Sequence, residues 1–357
     1  MLTRKGFLFS VSAAAVCGAA EAAKAYAAPA RQPFDIQRYR PAMDRFASRR
    51  WGVFNHFLCD GKDTWRGREY AGAAAAWNAR VNEVDVKKLA RDLKEMGAGY
   101  FFLTLMQGSK FMIAPNAAYD EIIGAKPGEA CAERDLPMEI ADELAKHGID
   151  FCLYYTGDGP WKDDVAGHRM GLWDPRDKVR VSDPYVKRWT SVLEEYAVRY
   201  GDRVKAWWID GMYSEYINFY KPHHLNFYHD AIRKGNPTAL VANNNGVKPK
   251  YVKYGAEDTF TCGEFNDFTV LPPARFIDGA QSHILAPLGF DPKRPAAAGW
   301  ASPGCKHTKE YMAGFVRLAN LVGMPVTIDI QCFGASRANA FDPEQREALK
   351  WVSANLS

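Results

Sequence analysis

The sequence predicts a (β/α)8 barrel, and three observations support that prediction. Short apolar runs alternate along the chain with amphipathic segments of helical period, the pattern of parallel strands and their covering helices. The apolar run 204–209 ends in Asp210 and Gly211, so a carboxylate stands at the tip of a buried strand, where barrel active sites lie. A doubly wound sheet would also alternate, but no Gly-x-Gly-x-x-Gly follows any predicted strand.

The first half of the chain supplies four predicted strands. A strand at 51–57 precedes a helix at 84–96, in which apolar residues recur three and four positions apart until Gly97 ends it. The next segments are a strand at 100–105, a helix at 136–147, a strand at 150–155, a helix at 184–200 that begins with Pro184, and a strand at 204–210.

The second half continues the pattern less regularly. It supplies a helix at 225–234, a strand at 240–243, weaker strands at 259–262 and 282–285, a helix at 306–321, a strand at 325–330 and a helix at 343–352. Eight strands joined by right-handed crossovers make one barrel domain at 34–357. The stretches 157–183 and 271–303 are predicted to be loops that wall a pocket.

Residues 1–30 are predicted to be an export signal. Arg4 and Lys5 precede an alanine-rich apolar run, and small residues offer cleavage after Ala27 or Ala30. The opening resembles a twin-arginine signal with lysine as the second basic residue, which predicts a bacterial protein that is periplasmic or secreted. The chain has a net charge of +4, and three basic and one acidic residue place +2 of it in this segment. The rest therefore predicts neither a nucleic-acid-binding stripe nor a polybasic membrane anchor.

The cysteines and histidines predict no metal or cofactor site. Six cysteines follow Cys17 without a Cys-x-x-Cys pair, and Cys152, Cys262 and Cys332 lie in apolar runs typical of buried side chains. His223 and His224 are adjacent, so on a helix their side chains point about 100° apart, and a surface location is predicted instead of a metal pair.

Polar side chains cluster at the predicted strand ends. They are Asn55, His56, residues 105–107 and 155–158, Asp210, residues 243–245, Glu264, His283, Asp329 and Gln331. Carboxylates, amides and aromatics without a His-x-His or His-Glu-x-x-His motif suit glycoside hydrolysis without a metal, in which two carboxyl groups act together. The alternative for Asp210 is a turn residue or the N-cap of the next helix.

Several segments resemble the α-L-fucosidase family of retaining glycosidases. Residues 50–56 (Arg-Trp-Gly-Val-Phe-Asn-His) are similar to its first strand, which carries a sugar-binding histidine. Residues 207–211 (Trp-Trp-Ile-Asp-Gly) are similar to its nucleophile strand. Further similarity at 84–104, 148–155, 320–330 and 342–351 extends the resemblance over nearly all of the predicted domain.

This resemblance implies an exo-acting hydrolase with a glycan or glycoside substrate. Asp210 is the implied nucleophile. Glu264 is the implied acid/base, with Glu215 and Glu257 as rivals, because it lies one residue beyond the place of the family's Asp-x-x-Thr-x-Glu. The implied sugar-binding residues are His56, Gln107, Tyr155 and Trp208. Trp161 and Trp300, in the two long loops, stack on sugar or fill the core.

The sequence also departs from the family. Met-Gln-Gly-Ser-Lys-Phe at 106–111 replaces a Lys-His-His-Asp-Gly-Phe whose histidines contact sugar, so Gln107 replaces one donor and Gly108 opens volume. Lys110 or Arg169 is a candidate for meeting an acidic substituent there. Gln281 replaces a glutamate, and the family's C-terminal β-sandwich is not expected. Weaker binding of plain L-fucose than by a typical member of that family is therefore expected. Two alternatives stay open, namely a glycan-binding barrel that has lost turnover and the same chemistry on a substituted or galacto-configured sugar.

Overall fold

The computed structural model describes residues 33–59, 73–172, 181–215, 218–290, 293, 298–333 and 340–356. The predicted export signal lies outside the described residues, as do 173–180, 291–292 and 294–297 of the two predicted loops. Every helix and strand below belongs to the compact unit Ile36–Ser357, while the unit Met1–Asp35 contributes three described residues. Among the described residues, no helix combines the length and apolar character that a membrane crossing requires.

Seven parallel strands form the central sheet. They are β1 (Trp51–Asn55), β2 (Tyr100–Thr104), β3 (Asp150–Thr156), β4 (Val204–Asp210), β5 (Leu240–Asn243), β8 (Ile284–Pro287) and β9 (Val326–Asp329). Their order is β5-β4-β3-β2-β1-β9-β8. A separate antiparallel hairpin is formed by β6 (Phe276–Ile277) and β7 (Ala280–Gln281). The sheet is almost entirely buried, as expected for parallel strands covered by helices.

An irregular segment, residues 259–265, closes the barrel between the two edge strands. On one side the Thr259 N–H donates to the carbonyl of Val241 in β5 at 2.9 Å. On the other side Leu285 of β8 donates to the Gly263 carbonyl at 2.8 Å, and Phe265 donates to the Leu285 carbonyl at 3.0 Å. This segment takes the place of the eighth strand, which confirms the predicted (β/α)8 barrel. The described residues contain no β-sandwich.

Ten α-helices cover the sheet within the described residues. They are α1 (Arg40–Ser48), α2 (Ala73–Asn82), α3 (Val86–Met96), α4 (Ala117–Ile123), α5 (Leu136–Lys146), α6 (Asp164–Met170), α7 (Asp183–Tyr200), α8 (Pro222–Gly235), α9 (Lys309–Val322) and α10 (Pro343–Ala354). Side-chain caps fix several starts. Asp85 accepts from the Lys88 N–H before α3, and Thr308 accepts from the Tyr311 N–H before α9. The helices predicted at 84–96 and 306–321 therefore begin two and three residues later than predicted.

The sequence missed the short helices. α1, α2, α4 and α6 have ten residues or fewer, so they show too few turns for a clear apolar period. α6 lies inside the predicted loop 157–183, where Asp163 caps its start and Gly171 ends it in a left-handed conformation.

The N-terminal end of the barrel is plugged by α1. Phe46 reaches inside, with its ring 4.8 Å from that of Tyr100 and 5.5 Å from that of Phe260. Arg45 and Arg49 both bond Asp150, the first residue of β3. A closed bottom leaves the C-terminal ends of the strands as the accessible end.

Candidate active site

Asp210 is the last residue of β4 and lies at the accessible end, 9% exposed. Its Oδ2 accepts from the Tyr154 hydroxyl at 2.6 Å and its Oδ1 accepts from Asn244 Nδ2 at 2.8 Å. Gly211 then turns the chain with a φ of +70°, and a Cβ there would lie 2.8 Å from the carboxyl carbon of Asp158. The glycine serves the turn, and the carboxylate of Asp210 faces two side-chain donors instead of capping a helix.

Glu264 lies on the closing segment, opposite Asp210. The preceding Gly263 has a φ of +61°, and a Cβ there would overlap the carbonyl oxygen of His283. Glu264 Oε2 accepts from Asn244 Nδ2 at 2.6 Å. The same nitrogen bonds Asp210 at 2.8 Å, so the two carboxylate oxygens lie no farther apart than these two bonds placed end to end. That upper limit lies below the roughly 6.5–9.5 Å that separates the carboxyl groups of inverting glycosidases, and it is compatible with the roughly 5–5.5 Å of retaining ones.

The two carboxyl groups have different electrostatic surroundings. Burial, reinforced by the negative charge of Asp210, raises the pKa of Glu264 from 4.5 to about 7. The Asn244 hydrogen bond and the nearby His56 act in the opposite direction and lower it. Glu264 therefore keeps its proton in a large fraction of molecules near neutral pH, which suits a general acid.

A cavity of about 300 Å³ contains both carboxyl groups. Its lining combines aromatic walls with a few polar groups, which suits one sugar ring. The other lining residues are Phe54, His56, Leu58, Gln107, Tyr154, Trp208, Leu285, Trp300 and Ala301. Six of the eight residues predicted for the site thus line one cavity.

His56 is held by Asp329 at the end of β9. Its Nδ1 lies 2.9 Å from Asp329 Oδ1, and because a carboxylate accepts, Nδ1 carries the proton. Asp329 Oδ2 accepts from the Ala301 N–H at 2.6 Å, and Ala301 has a positive φ of 50°. One buried carboxylate therefore fixes both the histidine and the loop that carries Trp300.

The structure places Tyr155 and Trp161 outside this cavity. Side chains alternate along a strand, so Tyr154 faces Asp210, whereas Tyr155 faces α7 and donates to the Trp189 carbonyl at 3.1 Å. The prediction missed the inward tyrosine by one position. Trp161 packs against the hydrophobic core beside Gly108.

The volume expected beside Gly108 is occupied. Its φ is +78°, and a Cβ there would lie 2.9 Å from Trp161 Nε1 and 3.1 Å from Lys162 Cδ. Neither candidate for an acidic substituent lines the cavity, since Lys110 lies 4.0 Å from Asp163 and Arg169 donates to the Ile123 carbonyl. The prediction of an open gap was wrong because a tryptophan from the following loop fills it.

The rivals of Glu264 also lie outside the cavity. Glu215 is exposed, and Glu257 is ion-paired with Arg233 of α8. Gln281 is fully buried, with its amide group donating to the carbonyls of Ser282 and Gly323. It is a structural residue of the barrel wall and does not replace a catalytic glutamate of this cavity.

His223 and His224 meet Asp183 in the single cluster of potential metal ligands found among the described residues. Both Nε2 atoms approach Asp183 Oδ1, at 3.2 and 2.8 Å, and the bond from His224 contributes most to lowering the Asp183 pKa to about 2. His224 Nδ1 accepts from the Lys221 N–H, so in the neutral ring Nε2 carries the proton and donates to Asp183. This arrangement fits a hydrogen-bonded cluster around the Asp183 carboxylate. His223 is exposed as predicted, but His224 is buried.

The sequence identified Asn244 and Asp329 as strand-end residues but assigned them no role. Their roles depend on contacts between strands far apart in sequence, such as the bond from Asn244 to Glu264. Tyr154 was missed. In the register between β3 and β4 it pairs with Trp208, so the alternation of side chains along β3 was the signal that could have identified it.

No family model and no curated protein matches the sequence. Solved structures do match. MfFcnA9, an endo-fucoidan hydrolase from glycoside hydrolase family 107, superposes with a TM-score of 0.65 at 15% identity, over 87% of this chain and 64% of that chain. MfFcnA4, from the same family, gives 0.64 at 15% identity, over 88% of this chain and 54% of that chain. This chain therefore spans about half the length of MfFcnA4.

An α-L-fucosidase of family GH29 from Bacteroides thetaiotaomicron superposes with a TM-score of 0.58 at 17% identity, over 91% of this chain and 73% of that chain. Identities this low show a shared fold. The chain resembles α-L-fucosidases in its barrel, as the sequence motifs predicted, and it resembles the endo-fucoidan hydrolases as well.

Proposed function

We propose that the protein is a retaining glycoside hydrolase of α-L-fucosidase type. The observation that carries the proposal is the single amide nitrogen that bonds both Asp210 and Glu264, because it keeps their carboxylate oxygens closer together than the roughly 6.5–9.5 Å of an inverting pair. The raised pKa of Glu264 supports the division of roles between them. The fold shared with α-L-fucosidases supports the sugar class.

In the first step, an Asp210 oxygen attacks the anomeric carbon while Glu264 gives its proton to the departing glycosidic oxygen. The C–O bond to the leaving group breaks as the ester bond to Asp210 forms. In the second step, Glu264, now a carboxylate, takes a proton from water, and the hydroxide oxygen displaces Asp210. Each cycle consumes one water and restores both groups.

The remaining cavity residues would hold the sugar. Trp208 and Trp300 offer flat apolar faces, and His56 and Gln107 offer polar atoms for hydroxyl groups. At about 300 Å³ the cavity is at the small end of ligand sites, which favours a terminal sugar and exo action. We also propose that residues 1–30 direct export and that the protein acts in the periplasm or outside the cell.

Asp210→Asn provides the first test. The amide keeps the shape but cannot form the glycosyl ester, so hydrolysis of nitrophenyl α-L-fucoside should fall at least about 10³-fold. Fucose should still bind, as measured by a shift in melting temperature. Asp202→Asn, at the closed end of the barrel, is the matched control and should keep full activity.

A panel of nitrophenyl glycosides, with the anomer of the first product followed by NMR, tests the rest of the proposal. Turnover confined to substituted or galacto-configured sugars would correct the sugar class. Sugar binding without turnover of any member would favour the glycan-binding alternative, and an inverted first product would exclude the double displacement.

A further inference from the structure

Asn244 joins the two carboxyl groups through one side chain, and its own position is fixed. It follows β5 directly and is 1% exposed. Its N–H donates to the Ile209 carbonyl at 2.7 Å, and its carbonyl accepts from the Met212 N–H at 2.9 Å. Both bonds tie it to the end of β4, on either side of Asp210.

The orientation of the Asn244 amide follows from a third contact. Its Oδ1 lies 3.1 Å from the Gly246 N–H, which can only donate, so the oxygen faces Gly246 and the nitrogen faces the cavity. The nitrogen has two hydrogens, and two carboxylate oxygens lie within hydrogen-bond distance of it. Its donating capacity is therefore fully used.

We propose that Asn244 is a positioning residue that donates one amide hydrogen to each catalytic carboxyl group, fixing their spacing and the oxygen of Glu264 that carries the acid proton. This inference rests on the proposed function of the same site.

The second part of the inference follows from the hydrogen-bond geometry. Glu264 Oε2 accepts from Asn244, so the proton of the acid form lies on Oε1, which is the oxygen left to protonate a glycosidic oxygen. The pair carries one negative charge in each half of the cycle, first on Asp210 and then on Glu264. An amide that donates to both stabilises the charge wherever it resides.

Other groups that titrate or carry charge surround the pair. Asp210 belongs to β4 and Tyr154 to β3, His56 follows β1 with Asp329 behind it, Cys262 shares the segment of Glu264, and Asp158 lies beside Gly211. Unlike these groups, Asn244 is a hydrogen-bond donor that does not itself ionise. The bond it makes lowers the pKa of Glu264, so its removal should raise that pKa further.

The test titrates the Glu264 carboxyl carbon by NMR in the full chain, with Asn244→Ala, Asn244→Asp and the control Asn245→Asp. Asn245 is the neighbouring amide and bonds Ser214. Both substitutions at Asn244 should move the Glu264 titration up by about 1–2 pH units, and the control should not move it. The basic limb of the kcat/KM profile should move with it.

A role in folding alone would lower melting temperature and activity without moving this titration, and that result would overturn the proposal. If the variants do not fold, the side-chain amide of Asn244 in the unsubstituted protein decides. Both of its N–H signals should shift as Glu264 titrates, and constant signals would overturn the proposal. Neither titration needs turnover, so a protein inactive on every glycoside would overturn the proposed function alone.

Discussion

Glu264 and Asp210 carry the same functional group, yet their hydrogen bonds suit opposite tasks. Asp210 accepts from two donors, Tyr154 and Asn244, which stabilise a negative charge. Glu264 shares one of these donors and is raised in pKa by burial and by the charge of Asp210. A carboxyl group of raised pKa beside one that accepts from two donors suits the pairing of an acid with a nucleophile.

Glu264 sets the first prediction. Its carboxyl pKa is raised to about 7, so the acid form is present below that pH and is lost above it. We expect kcat/KM to fall as pH rises through about 7. Glu264→Gln should remove this basic limb and slow substrates with poor leaving groups by about 10²–10⁴-fold, measured as pH–rate profiles.

Glu215→Gln is the matched control for Glu264→Gln, because Glu215 was a rival for the same role and is exposed. Its profile should match that of the unsubstituted protein. A basic limb that persists in Glu264→Gln would assign the acid to another residue.

At the scale of elements, the sequence was most reliable where one segment decides its own structure. Capped helices such as α3 and buried strands such as β4 follow from local pattern and end residues. The closing segment 259–265 was predicted only as a strand at 259–262. Its later part carries Gly263 in a left-handed conformation, which the sequence pattern does not reveal, and that turn aims Glu264 at Asp210.

β3 provides the second prediction through its two adjacent tyrosines. Tyr154→Phe removes a charge-assisted bond to Asp210, so kcat/KM should fall about 10–100-fold with little change in melting temperature. Tyr155→Phe removes a neutral bond to the Trp189 carbonyl, so it should cost about 1 kcal/mol of stability and leave kcat/KM unchanged. Steady-state kinetics and thermal unfolding of both variants distinguish them, and equal effects on kcat/KM would contradict the assignment of faces.

At the scale of the whole molecule, the barrel was predictable because alternation repeats over the full chain. What the barrel brings together was less so. The sequence selected Asp210 from its position at a strand tip. The hydrogen bonds between Asn244 and Glu264 and between His56 and Asp329 join separate parts of the barrel, and no local sequence pattern shows that these residues meet. The same limit explains Gln281, which a motif comparison placed in the site and which the closed barrel places in its wall.

The last prediction concerns Gln281, which pairs with the closing segment of the barrel. Its backbone pairs with Thr259 and Thr261, its Nε2 donates to the carbonyls of Ser282 and Gly323, and its Oε1 accepts from Arg275 Nε. In Gln281→Glu a carboxylate offers no donor to the two carbonyls, although Arg275 partly offsets its charge. We expect a loss of about 1–3 kcal/mol in the free energy of unfolding, smaller at acidic pH, where a protonated carboxyl group again donates.

Because Gln281 lies outside the cavity, kcat/KM of the folded Gln281→Glu protein should stay within about twofold of its original value, the scale of small perturbations. Gln37→Glu, on an exposed side chain, should change neither quantity. A large gain in kcat/KM from Gln281→Glu would place residue 281 in the catalytic site, against the contacts that hold it in the wall.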